Sequence, residues 1–196
     1  MNDVRTAWWV AACAVALVLT GCRSAATRIF TLEPTAPASH IDVYRAPPLR
    51  VARLNVPASW DRIEILKQSA AGALQIGDFD HWAAPLPQMA RQTLSDDLDR
   101  RLPSGSVVYP GLPRTSGALD VSVDILEFNI LASQASMRVS WDIVSSEDSH
   151  SAKRSTAELR SPMSSEEPAA IARAWSELIG QLADRIAADA ISFSIP

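Results

Sequence analysis

An apolar run of 13 residues, Ala7 to Leu19, ends in Leu19-Thr20-Gly21-Cys22, and it constrains the fold more than any other stretch. Secretory signals combine a basic start, an apolar run of roughly 7–15 residues and small residues at the cut. Arg5 with the free amino group, the Ala/Val/Leu run and Gly21 supply these parts, and Asp3 is the one acidic departure. A membrane-spanning helix needs about 20 apolar residues, so this run is too short to be one. Cleavage before Cys22 leaves 175 residues. That is enough for one domain burying about 70 % of its unfolded surface. Cys13 leaves with the signal, so no disulfide can staple what remains. The fold must rest on a hydrophobic core.

A cysteine placed at the cut resembles the lipoprotein signal. There the thiol is alkylated by a diacylglycerol, the chain is cut before it, and the new amino terminus takes a fatty acyl group such as palmitate. On this reading residues 1–21 are a cleaved signal peptide, 22–28 a lipidated tether and 29–196 a single domain. Each buried methylene contributes about 0.8 kcal/mol, and several acyl chains hold a protein stably where one does so only marginally. Arg23 to Thr27 reach only about 17 Å when extended, which keeps the domain close to the bilayer. The formal charge of -4 survives cleavage because Asp3 and Arg5 cancel. With no cluster of lysines or arginines, nucleic acid and anionic head groups are poor partners.

Hydrophobic periodicity places the elements. Ile29 to Leu32 reads as a short first strand, and Pro34 to Pro48, with four prolines, as an irregular surface excursion. Leu49, Val51, Leu54 and Val56 nearly alternate, with a slip at Arg53 that predicts a bulge. Ile63–Leu66 and Leu74–Ile76 predict two short strands joined by a turn containing Ala71-Gly72. Pro85 opens a helix with Leu86, Met89, Ala90, Leu94, Leu98 and Leu102 on one face, closed by Pro103. Its pairs Asp96–Arg100 and Asp97–Arg101 have i,i+4 spacing and read as a solvated face. Val107–Tyr109 predicts the return strand of a right-handed parallel unit. Leu119–Ile125 and Ala135–Ile143 alternate as an antiparallel pair, and a weaker strand is predicted around Thr156–Leu159. A long C-terminal helix from Pro168 should bury Ile171, Trp175, Leu178, Leu182 and Ile186. The fold class is α/β: a single domain with a mixed sheet of about five to six strands and helices packed on its faces.

Chemistry is sparse. There is no G-x-S-x-G or S-x-x-K, and His40, His81 and His150 fall in separate predicted loops, so no nucleophile is placed beside a base. C-x-x-C, H-E-x-x-H and G-x-G-x-x-G are also absent, and no cofactor is expected. Asp78, Asp80 and His81 offer metal donors without the later glycine and glutamate of a calcium loop; such Asp-rich turns are common before helices. Trp141 and Trp175 fit the apolar periodicity of a core. Trp60 and Trp82 fall at predicted turns, where a ring either plugs the sheet's end or meets a partner, and plugging is favoured. Asn129 to Ala132 is more apolar than a hairpin tip should be, so the strands continue through it or the tip touches something. Trp60, Trp82, Ile130 and Leu131 are therefore the candidate partner-binding residues.

Several stretches together resemble the ABC-type transport auxiliary lipoproteins, the paraquat-inducible protein C group. They are His81-Trp82-Ala83-Ala84-Pro85-Leu86 leading through Leu94, Leu98 and Pro103, then Leu119-Asp120-Val121-Ser122-Val123, Glu127-Phe128-Asn129 and Val139-Ser140-Trp141. Phe30-Thr31-Leu32, Pro57 to Arg62 and Gln181 to Ala187 extend the resemblance along the mature chain. Ala84, where relatives often carry an acidic residue, and the lack of a glycine after Asn129 depart from the pattern. The resemblance implies a non-enzymatic partner of mammalian-cell-entry (MCE) domain systems that carry phospholipids between the two membranes of Gram-negative bacteria. It also implies a mixed α/β sheet with helices on both sides, and it brings no catalytic residues. Arg23 after the cysteine, rather than the retention signal aspartate, implies the periplasmic face of the outer membrane. A homo-oligomer and a bound phospholipid are compatible with this reading. The alternative is a periplasmic lipoprotein that itself binds a lipid or hydrophobic ligand.

Overall fold

A computed structural model describes residues 26–68, 72–113, 115–131, 133–145 and 152–193. In chain order the elements are β1 (Arg28–Phe30), β2 (Leu49–Asn55), β3 (Glu64–Gln68), β4 (Leu74–Trp82), α1 (Leu86–Arg101), β5 (Val107–Val108), β6 (Leu119–Leu131), β7 (Gln134–Ser145), β8 (Ala152–Pro162) and α2 (Pro168–Ala190). A 3-10 turn, Ile191–Phe193, follows. The strands form two mixed sheets, one of five in the order β5-β2-β6-β7-β8 and one of three in the order β1-β4-β3. This is the single mixed α/β domain expected, with its strands divided between two sheets.

The five-stranded sheet follows from two-residue alternation. Leu119, Val121, Val123 and Ile125 of β6 and Ala135, Met137, Val139, Trp141 and Ile143 of β7 are all buried. Two bulges shift the register. One falls between Val51 and Arg53, where the slip at Arg53 predicted it. The other lies between Ile125 and Glu127, and the extra residue changes which positions face inward. Phe128 and Ile130 are thereby buried while Leu126 is turned out. The opposite face is polar and tied by cross-strand ion pairs, Arg50–Asp120, Arg53–Asp124, Arg138–Glu127 and Arg154–Asp142. The predicted parallel unit is rearranged. β5 does run parallel beside a strand, but that strand is β2, because β4 belongs to the other sheet.

Both helices bury their apolar stripes in one core shared with the five-stranded sheet. Proline opens each at the first turn, where its missing N–H costs nothing. The chain leaves α1 because Leu102 is extended ahead of Pro103. Ile171, Trp175, Leu178, Leu182 and Ile186 of α2 are buried as their spacing predicts. An aromatic cluster joins β6 and the turn after β2 to α2. Phe128 stacks on Trp175 at 4.0 Å, and Trp60 meets Phe128 edge-on at 4.7 Å.

Asp189, in the last turn of α2, opposes the helix dipole there. Tertiary contacts explain its presence. Its carboxylate accepts from Trp141 Nε1 at 3.0 Å and Ser155 Oγ at 2.7 Å, and lies 2.9 Å from Lys153 Nζ. Burial alone would lift its pKa, but the hydrogen bonds from Lys153 and Ser155, with Trp141 adding to them, hold the carboxyl below its ordinary value. A depressed carboxylate stabilises the fold above the unfolded pKa of about 3.9 and loses that contribution as pH falls through the folded value. Asp189→Asn is therefore expected to cost about 1–3 kcal/mol at pH 7. Urea titrations of both proteins should show the gap narrowing toward pH 3, and a gap constant with pH would exclude the assignment.

Candidate functional site: the root of the N-terminal tether

The first feature that positions the N-terminal end of the described chain is β1. Its three residues pair in parallel with the end of β4, Arg28 opposite Asp80 and Phe30 opposite Trp82. Arg28 Nε donates to Asp80 Oδ1 at 2.6 Å, and Ala83 N–H donates to Phe30 O at 2.8 Å. So short a strand holds little by itself. The next stretch, Thr31 to Pro48, supplies the rest.

This stretch is irregular, as its prolines require, yet it is pinned to both helices. Leu32 enters the core. Glu33 N–H donates to Ser176 Oγ of α2 at 3.1 Å. Thr35 N–H donates to Asp97 Oδ1 of α1 at 2.8 Å, and its hydroxyl donates to the same oxygen at 3.3 Å. Ile41 N–H donates to Arg101 O at 2.8 Å, where α1 leaves its last carbonyls open.

Arg101 lies beneath this strap with only 1 % of its surface exposed. Nε donates to Asp184 Oδ1 at 2.6 Å, Nη1 to Asp97 O and Oδ1 at 3.0 and 3.1 Å, and Nη2 to Gly180 O at 2.9 Å. Asp97 is fully buried. The Asp97–Arg101 pair, expected on a solvated face, is thus an internal ion pair between α1, α2 and the strap. Burial lifts the Asp97 carboxyl above its usual range, and the Thr35 amide and Arg101 only partly offset this. Gly180 sits mid-helix, where glycine is unfavourable by about 1 kcal/mol relative to alanine. The reason is close approach: a Cβ there would lie 1.9 Å from Thr35 Oγ1 and 3.1 Å from Thr35 Cβ.

The residues singled out from the sequence fall in different places. Cys22 and Ala132 lie outside the described residues. Trp60, Trp82 and Ile130 are buried, so their apolar surface belongs to the core, and of the four partner-binding candidates only Leu131 is exposed. The strands do continue through the apolar stretch, with Ile130 opposite Ala135 and Leu131 opposite Gln134. Asp80 is taken up by Arg28, and among the described residues no three His, Cys, Asp or Glu gather as a metal site. Grooves of about 480 and 550 Å³ flank the strap. Glu33, Arg173 and Glu177 line one beside Ile29 and Phe30, and Arg91, Gln92 and Asp96 the other beside Leu32 and Met89, so charged and apolar groups share both.

Residues 30–187 match the family model of the ABC-type transport auxiliary lipoprotein component. The chain belongs to that family. The match takes in the strap and both helices that pin it. Two solved structures share the fold of this auxiliary lipoprotein. One, an uncharacterized protein, superposes with a TM-score of 0.68 at 16 % identity, covering 84 % of this chain and 99 % of its own. The other, a Xanthomonas campestris protein, gives 0.61 at 18 % identity over 85 % and 96 %. No curated protein matches the sequence. Among the described residues no helix of the auxiliary lipoprotein is long and apolar enough to cross a membrane.

Two substitutions test the strap. Gly180→Ala should destabilise by about 1–3 kcal/mol through overpacking, against alanine's better helix propensity. Adding Thr35→Ala, which removes the clashing hydroxyl, should recover part of that loss in a double-mutant cycle by urea unfolding. A Gly180→Ala protein that melts higher than wild type would exclude the close approach. Arg101→Met leaves Asp97 buried without its partner and is expected to cost about 3–5 kcal/mol. Arg101→Lys should rescue little, since an ammonium cannot fork to Asp97, Gly180 and Asp184 together.

Proposed function

We propose that this auxiliary lipoprotein is held on the periplasmic face of the outer membrane by acyl chains on Cys22. There it serves, without catalysis of its own, as a component of an MCE-type system that moves phospholipid between the two membranes and maintains the envelope. The family match over residues 30–187, on a chain with a lipobox cysteine just upstream, carries this reading. Arg23 in place of a retention aspartate supports the outer membrane. The pinned strap adds a physical argument. An adaptor that works by position needs its anchor joined to its core, and hydrogen bonds from Glu33, Thr35 and Ile41 join the chain after the tether to both helices.

Mild crosslinking of intact cells followed by purification of the lipoprotein is expected to recover an MCE-domain protein. Cys22→Ser, exported behind a secretory signal that is cut without lipidation, should release the protein from the membrane fraction and abolish that recovery while leaving the fold intact by circular dichroism. Recovery of no MCE-domain protein with the envelope preserved would remove the transport assignment. Membrane retention of Cys22→Ser would remove the anchor.

A further inference from the structure

The longest strand edge among the described residues is open. In the order β5-β2-β6-β7-β8, the strand β8 has a neighbour on one side only, and it runs for 11 residues. The other outer strands, β1, β3 and β5, have 3, 5 and 2 residues. A long unpaired edge is a template for a further strand unless something blocks it.

The ladder fixes which backbone groups point outward. Met163 N–H donates to Ser133 O at 2.6 Å, one step beyond the pair Gln134–Pro162. Antiparallel residues alternate in the side to which they turn N–H and C=O, so Lys153, Ser155, Ala157, Leu159 and Ser161 bond to β7. Arg154, Thr156, Glu158 and Arg160 turn theirs to the open edge. Gln181 Nε2 reaches Arg160 O there at 2.9 Å, and Pro162 has no N–H to offer, so α2 and a proline close one end of the edge. The backbone of Arg154, Thr156 and Glu158 stays open to a further strand. Their side chains share the exposed face of the sheet, and the two charged ones have opposite signs.

Charge order selects the occupant. An antiparallel second copy with Thr156 opposite Thr156 sets Arg154 of each copy against Glu158 of the other. Each facing pair then exchanges two ladder bonds, and opposite charges meet on both sides of the centre. Centring the copies on Ala157 would put Arg154 against Arg160, and centring on Glu158 would put that carboxylate against itself. Centring on Ser155 leaves Arg154 opposite Thr156 and Glu158 opposite Ala152, with no charge pair. The Thr156 register is self-complementary, as an isologous contact requires.

We propose that β8 is the interface with a second copy of this chain. The two β8 strands pair antiparallel about a two-fold axis at Thr156 and join both five-stranded sheets into one. The pairing rests on neither the anchor nor the transport assignment.

The processed Cys22→Ser chain contains no cysteine, since Cys13 leaves with the signal. Sedimentation equilibrium of this chain should show a monomer–dimer equilibrium. Arg154→Glu and Glu158→Arg are each expected to weaken the dimer about tenfold, and the double exchange to recover most of that loss, with folding checked by circular dichroism. Thr156→Cys in the same chain places two thiols on Cα atoms about 5.5 Å apart, so mild oxidation should give a covalent dimer. Arg154→Cys lies about 13 Å from its own copy and should not crosslink alone, but should do so when mixed with Glu158→Cys protein. A chain that stays monomeric across the concentration series overturns the proposal and leaves the edge to a strand of another protein. A dimer indifferent to both charge reversals, or one that crosslinks through Arg154→Cys alone, uses another face or register and overturns it as well.

Discussion

The guanidinium of Arg101, buried between two helices and a proline-rich strap, is the interaction on which the arrangement of the N-terminal half depends. Moving a guanidinium out of water costs several kcal/mol, and replacing such a pair by well-packed apolar residues is often neutral or better. Net stability is therefore not what the cluster most distinctively provides. Its contribution is geometric. The planar fork reaches α1 through Asp97 and α2 through Asp184 and Gly180, which sets the helices relative to one another. The same Asp97 oxygen that receives Arg101 also receives the Thr35 amide and hydroxyl. A strap without regular secondary structure thereby acquires one path across the helices.

Gly180 shows the constraint from the other side. Thr35 approaches α2 so closely that a β-carbon at position 180 would force the Thr35 side chain to move. Arg101 takes the carbonyl of this same residue, so the close approach and the ion pair locate each other. Asp189 does comparable work at the far end of α2, drawing Trp141 of β7 and Ser155 and Lys153 of β8 onto the helix terminus. The long helix is thus fixed near its middle to α1 and the strap, and at its end to the sheet.

Periodicity made the sheet and the helices legible because burial there repeats every two residues or every turn. The slip at Arg53 even located a bulge. The seat of the strap was not legible, for reasons that can be named. An Asp–Arg pair at i,i+4 looks the same in sequence whether its helix face meets water or protein, and the partner that buries it, Asp184, lies 83 positions away. β1 finds β4 at a separation of 52, with no local pattern to announce a second sheet. Trp60 and Trp82 sit where turns were expected, and only the packing of Trp60 on Phe128 and Trp175 distinguishes a plug from an exposed ring. Gly180 is the signal that the sequence does carry. A glycine in the middle of a strongly periodic helix, far from either end, calls for a close backbone approach.

These features bear on how an auxiliary lipoprotein is held. The first strand of the described chain is only three residues long. If β1 alone held this end of the chain, it would fray readily, since strand ends open at little cost. The strap moves the load inward, because displacing Thr31 to Pro48 requires breaking contacts with a buried charge cluster as well as a strand edge. Buried, hydrogen-bonded ions resist this because leaving one of them unpaired is expensive. The Asp97–Arg101–Asp184 cluster thus fixes the N-terminal segment to the core where its own sequence is irregular.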